Sequence, residues 1–123
     1  MKPAATQSAA DVYSETCPSR RALELIANKW ALLVVPALRR GPVRNNELLR
    51  QVGGISQKML TQTLRELELN GLVVRSDHGT VPPRVDYALT ELGASLSKAL
   101  LAVDRWAEAH HDQLRPASRR TGR

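Results

Sequence analysis

The sequence contains no phenylalanine, and its 123 residues include only two tryptophans and two tyrosines, an aromatic share of 3%. That excludes a stacking platform for single-stranded nucleic acid, which needs several exposed rings. One cysteine, Cys17, leaves no intramolecular disulfide and no cysteine-rich zinc site. No apolar run approaches the ~18 residues of a membrane span. Residues Met1–Gln7 lack the apolar stretch of a secretory signal. The pair Gly53-Gly54 is not followed by the Lys-Ser/Thr of a phosphate loop. The three histidines, His78, His110 and His111, have no carboxylate or cysteine spacing that completes a ligand set, so neither metal nor cofactor is expected. No nucleophile–base–acid arrangement is visible, and an enzyme is not expected. These absences describe a small single-domain protein, expected to be cytoplasmic and without a membrane partner.

What is present is cationic charge, unevenly placed. The net charge is +6. From Arg39 to Lys58 five bases stand against one acid, Glu47, whereas Thr90–Leu114 carries four acids and two bases. The last nine residues hold four arginines and no acid, with Pro116, Ser118 and Gly122, and read as a disordered basic tail. The middle of the chain therefore suits a polyanion, while the C-terminal helix suits a protein contact.

The Ala-, Ser- and Thr-rich residues 1–16 read as a flexible arm, residues 17–112 as the folded domain and 113–123 as the tail. Cys17-Pro18-Ser19 starts a helix that stops near Asn28. Trp30–Leu38 is apolar on all sides and is expected as a buried helix, with Pro36 ending or kinking it and a short strand over Leu32–Val35 as the competing reading. After the Gly41-Pro42 turn, Glu47–Val52 forms a short helix ended by Gly53-Gly54. Ser56 caps the next helix, which runs to about Asn70 with Gly71 beyond it. Leu72–Arg75 and Val85–Leu89 form a hairpin around the loop Ser76–Pro83, and Thr90 caps a final helix of about twenty residues. Two helices joined by a glycine turn and followed by a hairpin predict a mainly α winged helix-turn-helix.

At about 100° per residue, Gln57, Lys58, Thr61, Gln62 and Arg65 occupy one arc of the Ser56 helix, and Leu60, Leu64 and Leu67 the opposite side. Amide, hydroxyl and cation are the groups that reach base edges and phosphates in a major groove. The same pattern also describes the solvated side of an ordinary amphipathic helix. On the last helix Leu92, Leu96, Ala99, Leu100, Val103, Trp106, Ala107 and His110 share an arc of roughly 120°. Leu92 and Leu96 are expected to pack within the chain. Leu96, Leu100, Val103, Trp106, Ala107 and His110 are the candidate interface with a second subunit.

The chain resembles the HxlR-type branch of the winged helix-turn-helix regulators, relatives of the MarR group. The resemblance is carried by Cys17-Pro18, Leu23–Ile26, Lys29-Trp30, Asn46–Leu48, Gly54–Gln62, Leu64–Leu67, Asn70–Val73, Val81–Tyr87 and Leu89–Gly93. It implies a homodimeric bacterial transcription regulator, in the first instance a repressor, on an inverted-repeat operator in double-stranded DNA. It also implies that Ser56–Asn70 is the recognition helix, Ser76–Pro83 the wing, and Ser19–Asn28 with Thr90–His111 the dimer elements. Two residues depart from the family pattern: Asn45 stands where an aromatic, often Phe, is usual, and Pro36 where a helix-compatible residue is normal.

On this reading the DNA contacts are Arg44, Asn46, Ser56, Gln57, Lys58, Thr61, Gln62, Arg65, His78, Thr80 and Arg84, with Arg44 and Ser56 on phosphates and Arg84 supporting the wing. Cys17 matches the cysteine through which some members sense oxidants or electrophiles. Its place at a helix N-terminus near Arg20 and Arg21 favours a thiolate. Two alternatives stay open: gating by a small aromatic ligand without thiol chemistry, and a winged-helix protein-interaction module.

Overall fold

The computed structural model describes residues 10–114. Residues 1–9 of the expected arm (1–16) and residues 115–123 of the expected tail (113–123) lie outside them. Five helices and three short strands follow one another as α1 (Pro18–Ile26), α2 (Lys29–Ala37), β1 (Val43–Arg44), α3 (Asn45–Gln51), α4 (Gln57–Leu69), β2 (Val73–Asp77), β3 (Val85–Leu89) and α5 (Glu91–His110).

Helix α2 is the central element. Ala31, Val34, Val35 and Leu38 are buried, and they meet Leu48 of α3, Leu60, Leu64 and Leu67 of α4, and Leu100 of α5 in one core. The strand alternative over Leu32–Val35 is excluded by this helix. The expectation that every side of it is covered needs one correction, because Leu33 is exposed. Pro36, which has no N–H to donate to the Leu32 carbonyl, sits in the last turn, and the helix ends at the next residue. Asn28, expected near the end of α1, instead caps α2, its side chain accepting from the Trp30 N–H at 2.8 Å.

The sheet has three strands, in the order β1-β3-β2, all antiparallel. Strand β1 was not expected: two residues, Val43 and Arg44, pair with Tyr87 and Asp86, and a pair that short leaves no alternation to read. It matters because it ties the start of α3 to the wing. Helix α3 also begins two residues before the expected Glu47. At the other junction Thr90 accepts from the Gly93 N–H and donates from its hydroxyl to the Gly71 carbonyl at 2.6 Å. A Cβ on Gly93 would collide with the Leu72 carbonyl, so α5 can lie against the β2 entry only with glycine there.

Within α5 the inward positions are Gly93, Ser97 and Leu100. This shifts the packed stripe around the helix from the one expected. Leu100 is 4% exposed and belongs to the chain's own core, which removes it from the candidate interface. Leu96 is partly buried against that core, as expected, whereas Leu92 is 59% exposed and not packed within the chain. Ala99, Val103, Trp106 and Ala107 are also exposed. His110 stacks on Trp106, ring centroids 4.8 Å apart.

Candidate nucleic-acid interface

Ser56 starts α4 by accepting from the Met59 N–H at 3.0 Å, which leaves its hydroxyl proton uncommitted. Leu60, Thr63, Leu64 and Leu67 then turn into the core, and Gln57, Lys58, Thr61, Gln62 and Arg65 are all exposed. The leucine side and the polar side are separated as the helical arithmetic requires.

The wing stands opposite this polar side. Asp77 accepts from the Gly79 N–H at 3.0 Å, Gly79 takes a positive φ of 65°, and the His78 N–H reaches the Arg84 carbonyl at 3.0 Å. Asp86 of β3 clamps the loop from inside: its Oδ2 accepts from His78 Nε2 at 2.9 Å and faces Arg84 at 3.6 Å. The His78 hydrogen bond, then the Arg84 charge, hold the Asp86 carboxyl below its ordinary value of 3.8 against the opposing effect of burial. His78 and Arg84 thus share one carboxylate, and His78, expected as a contact group, serves first as a strut. Thr80 donates to the Pro82 carbonyl at 2.8 Å, and Val81 at the tip is 97% exposed.

Between α4 and the wing runs an open groove of about 870 Å³. Of the residues singled out from the sequence, Arg44, Asn46, Gln57, Thr61, Arg65, Thr80 and Arg84 line it together. Lys58 and Gln62 lie on the outer flank of α4, and Ser56 and His78 are also outside the groove lining. Two residues were missed. Arg75 projects into the groove from β2, opposite Tyr87; it lies two residues beyond buried Val73, so the period of a strand puts both on one side. Asn45, the first residue of α3, also lines the groove and exchanges hydrogen bonds with Gln57 at 2.9 and 3.3 Å. Four arginines and a single acid, Glu68, border this space among the described residues.

Cys17 is not among the groove-lining residues and stands as the N-cap of α1, with Pro18 in the first turn. Its Sγ accepts from the Asp11 N–H at 3.2 Å and lies 3.0 Å from Ser19 Oγ. These contacts, the Ser19 hydroxyl foremost, hold the thiol below its ordinary 9.0. The guanidinium of Arg20 is not the agent expected: it points at the Val12 and Tyr13 carbonyls and ties residues 10–16 to α1.

The sequence matches the family model described as HxlR-like helix-turn-helix over residues 25–115. It is 41% identical over 98 residues to the HTH-type transcriptional regulator YtfH of Escherichia coli (strain K12), covering 80% of this chain and 78% of that one. Among solved structures it is similar to the transcriptional regulator ytfH from Salmonella typhimurium, with a TM-score of 0.79 at 39% identity over 85% of this chain and 93% of that one. It is also similar to the redox regulator HypR in its oxidized form, with a TM-score of 0.69 at 40% identity over 76% and 96% of the two chains. A helix with an exposed polar side, a wing across an arginine-lined groove, and these matches lead to one conclusion: the chain belongs to the HxlR-like helix-turn-helix family, and it is a DNA-binding transcriptional regulator rather than an enzyme.

Proposed function

We propose that the protein is a homodimeric repressor that places α4 in the major groove of each half of an inverted-repeat operator, in the cytoplasm, with residues 17–112 as the working domain. The observation that carries this reading is the groove itself. Arg44, Arg65, Arg75 and Arg84 converge around the exposed amide and hydroxyl groups of α4, which is the mixture of phosphate and base-edge contacts that a recognition helix needs. Lys58, Gln62 and Ser56 extend the contact along the outer flank, Asn46 from the preceding helix, Arg44 from β1, and Thr80 with Arg84 from the wing. Among the described residues no helix is long and apolar enough to cross a membrane.

The dimer reading rests on α5. Leu92, Val103 and Trp106 stand more than half exposed on one side of it, and the same side continues into an apolar groove against α1 lined by Leu25, Ile26, Leu72 and Leu96. Covering this surface with the same elements of a second copy buries it under two-fold symmetry and sets two recognition helices about one DNA turn apart. The test of the whole proposal is a gel shift on the promoter beside the protein's own coding region. The wild type should shift it, and Lys58→Ala/Gln62→Ala/Arg65→Ala should not; retention of full operator affinity by the triple variant would remove α4 from the contact.

For the signal, the thiol reading is favoured over a ligand-gated one by the two hydrogen bonds on Cys17 Sγ. They favour the thiolate, the form that attacks oxidants and electrophiles, and HypR, a redox regulator, shares the fold. With one cysteine per chain, any disulfide must join two subunits or add a small thiol. Diamide should release DNA from the wild type and not from Cys17→Ser; equal behaviour of the two proteins would leave Cys17 a structural helix start.

A further inference from the structure

We propose that Asn45 is a specificity-determining positioning residue, which holds the Gln57 amide so that it meets DNA as an acceptor. The inference rests on the DNA-binding reading of α4.

Asn45 and Gln57 are the first residues of α3 and α4, twelve positions apart, and their amides form a closed pair. Asn45 Nδ2 donates to Gln57 Oε1 at 2.9 Å, and Gln57 Nε2 donates back to Asn45 Oδ1 at 3.3 Å. The same Gln57 Nε2 donates to Thr61 Oγ1 at 2.9 Å.

A primary amide has two N–H protons and two acceptor sites on its oxygen. Both Gln57 protons are therefore committed, one to Asn45 and one to Thr61. What remains free is one acceptor site on Gln57 Oε1 and, on Thr61, the hydroxyl proton and one lone pair.

This constrains readout. A glutamine that reads adenine with two bonds must present an N–H and the carbonyl oxygen side by side. That edge of Gln57 is already occupied by the Asn45 amide, which stands where the adenine edge would stand. The remaining acceptor takes an exocyclic amine, which cytosine and adenine both offer in the major groove. The base beneath Gln57 should accordingly be cytosine or adenine with little choice between them. When the groove closes on DNA and water leaves, breaking the amide pair would leave polar groups unpaired, which opposes rearrangement.

The test is selection of a randomised duplex pool by the full-length chain, read as base preference at each half-site position. Gln57→Ala should flatten one position. Asn45→Ala should free the Gln57 edge and, at that same position, raise the adenine-to-cytosine ratio about tenfold, with the thermal midpoint unmoved. In the Gln57→Ala background, Asn45→Ala should add nothing at that position. The proposal is overturned if Asn45→Ala leaves the ratio at that position unchanged, weakens all positions alike, or acts equally without Gln57. A wild type that selects no sequence would overturn the underlying DNA reading, a different outcome.

Discussion

Helices α4 and α5 each turn one side into the core and leave another in solvent, yet what they leave out is opposite in kind. Beside its buried leucines α4 exposes Gln57, Lys58, Thr61, Gln62 and Arg65, whereas α5 exposes Leu92, Ala99, Val103, Trp106 and Ala107 beside its buried Gly93, Ser97 and Leu100. Water solvates the first set at little cost. The second leaves large apolar area wet, at about 25 cal/mol per Å². Exposure alone therefore does not identify a partner; the chemistry of the exposed side does. A polyanion suits α4, a second apolar surface suits α5, and the central α2 holds the two at fixed separation.

Substitutions in the shared core should have the largest effect and should not distinguish the two helices. Leu64→Ala removes a side chain that is almost fully buried between α4 and α2 and should cost ~2–5 kcal/mol in urea unfolding. A cost below ~1 kcal/mol would mean that α4 is not packed as described. Next comes the exposed apolar side of α5. Val103→Glu/Trp106→Glu should weaken self-association about a hundredfold or more while the chain stays folded, because an aromatic anchor at an interface centre carries a large share of the binding energy. Sedimentation at micromolar concentration reads this directly, and a folded double variant that remains dimeric would move the interface to α1 and the segment before it.

Legibility in the sequence followed the length and regularity of each pattern. The polar arc and the leucine arc of α4 were readable because three turns of helix repeat them, and the Ser56 and Thr90 caps because each side-chain oxygen reaches the N–H three residues on. Strand β3 was readable from the alternation of Val85, Tyr87 and Leu89 with Asp86 and Ala88. Strand β1 was not, since its reason is the Tyr87 and Asp86 backbone more than forty residues away. The packed stripe of α5 was misplaced because Gly93 and Ser97 are poor in apolar signal yet buried, Gly93 close against the Leu72 carbonyl, while Trp106, the largest apolar signal, is 54% exposed in the single chain. Most of the groove was visible as a list of cations and amides. The Asn45–Gln57 pair was not, because hydrogen bonds between residues twelve apart leave no periodic trace.

On the polar side of α4 the effects should be smaller than in the core and should appear in binding rather than folding. Arg65→Ala should leave stability within ~0.5 kcal/mol and cost ~1–3 kcal/mol of operator affinity if the guanidinium spans a guanine edge. Lys58→Ala should instead weaken operator and unrelated duplex alike and lower the salt dependence by about one phosphate contact. The neighbours Leu64 and Arg65 then form a direct contrast, one governing folding and the other binding; a loss of stability in Arg65→Ala equal to that in Leu64→Ala would erase it.

The smallest expected effect lies in the wing, where a carboxylate is held in its charged form by His78 and Arg84. Because Asp86 is held below 3.8 in the folded chain, its contribution to wing order is complete above that pH and disappears as pH falls through the lower folded value. The clamp should therefore be intact at neutral pH and loosen only in strong acid. His78→Ala removes the foremost cause of the depression and should raise the Asp86 midpoint, leaving burial opposed by Arg84 alone. A carboxyl-resolved NMR titration of the two proteins measures the difference, and coincident Asp86 curves would show that the His78 bond contributes nothing to the clamp. On DNA the same variant should lose affinity modestly and evenly across sequences, since His78 acts on the shape of the loop and the α4 side chains remain in place. A change confined to one operator base would instead make His78 a direct reader, and the contrast between a reading helix and a supporting wing would have to be redrawn.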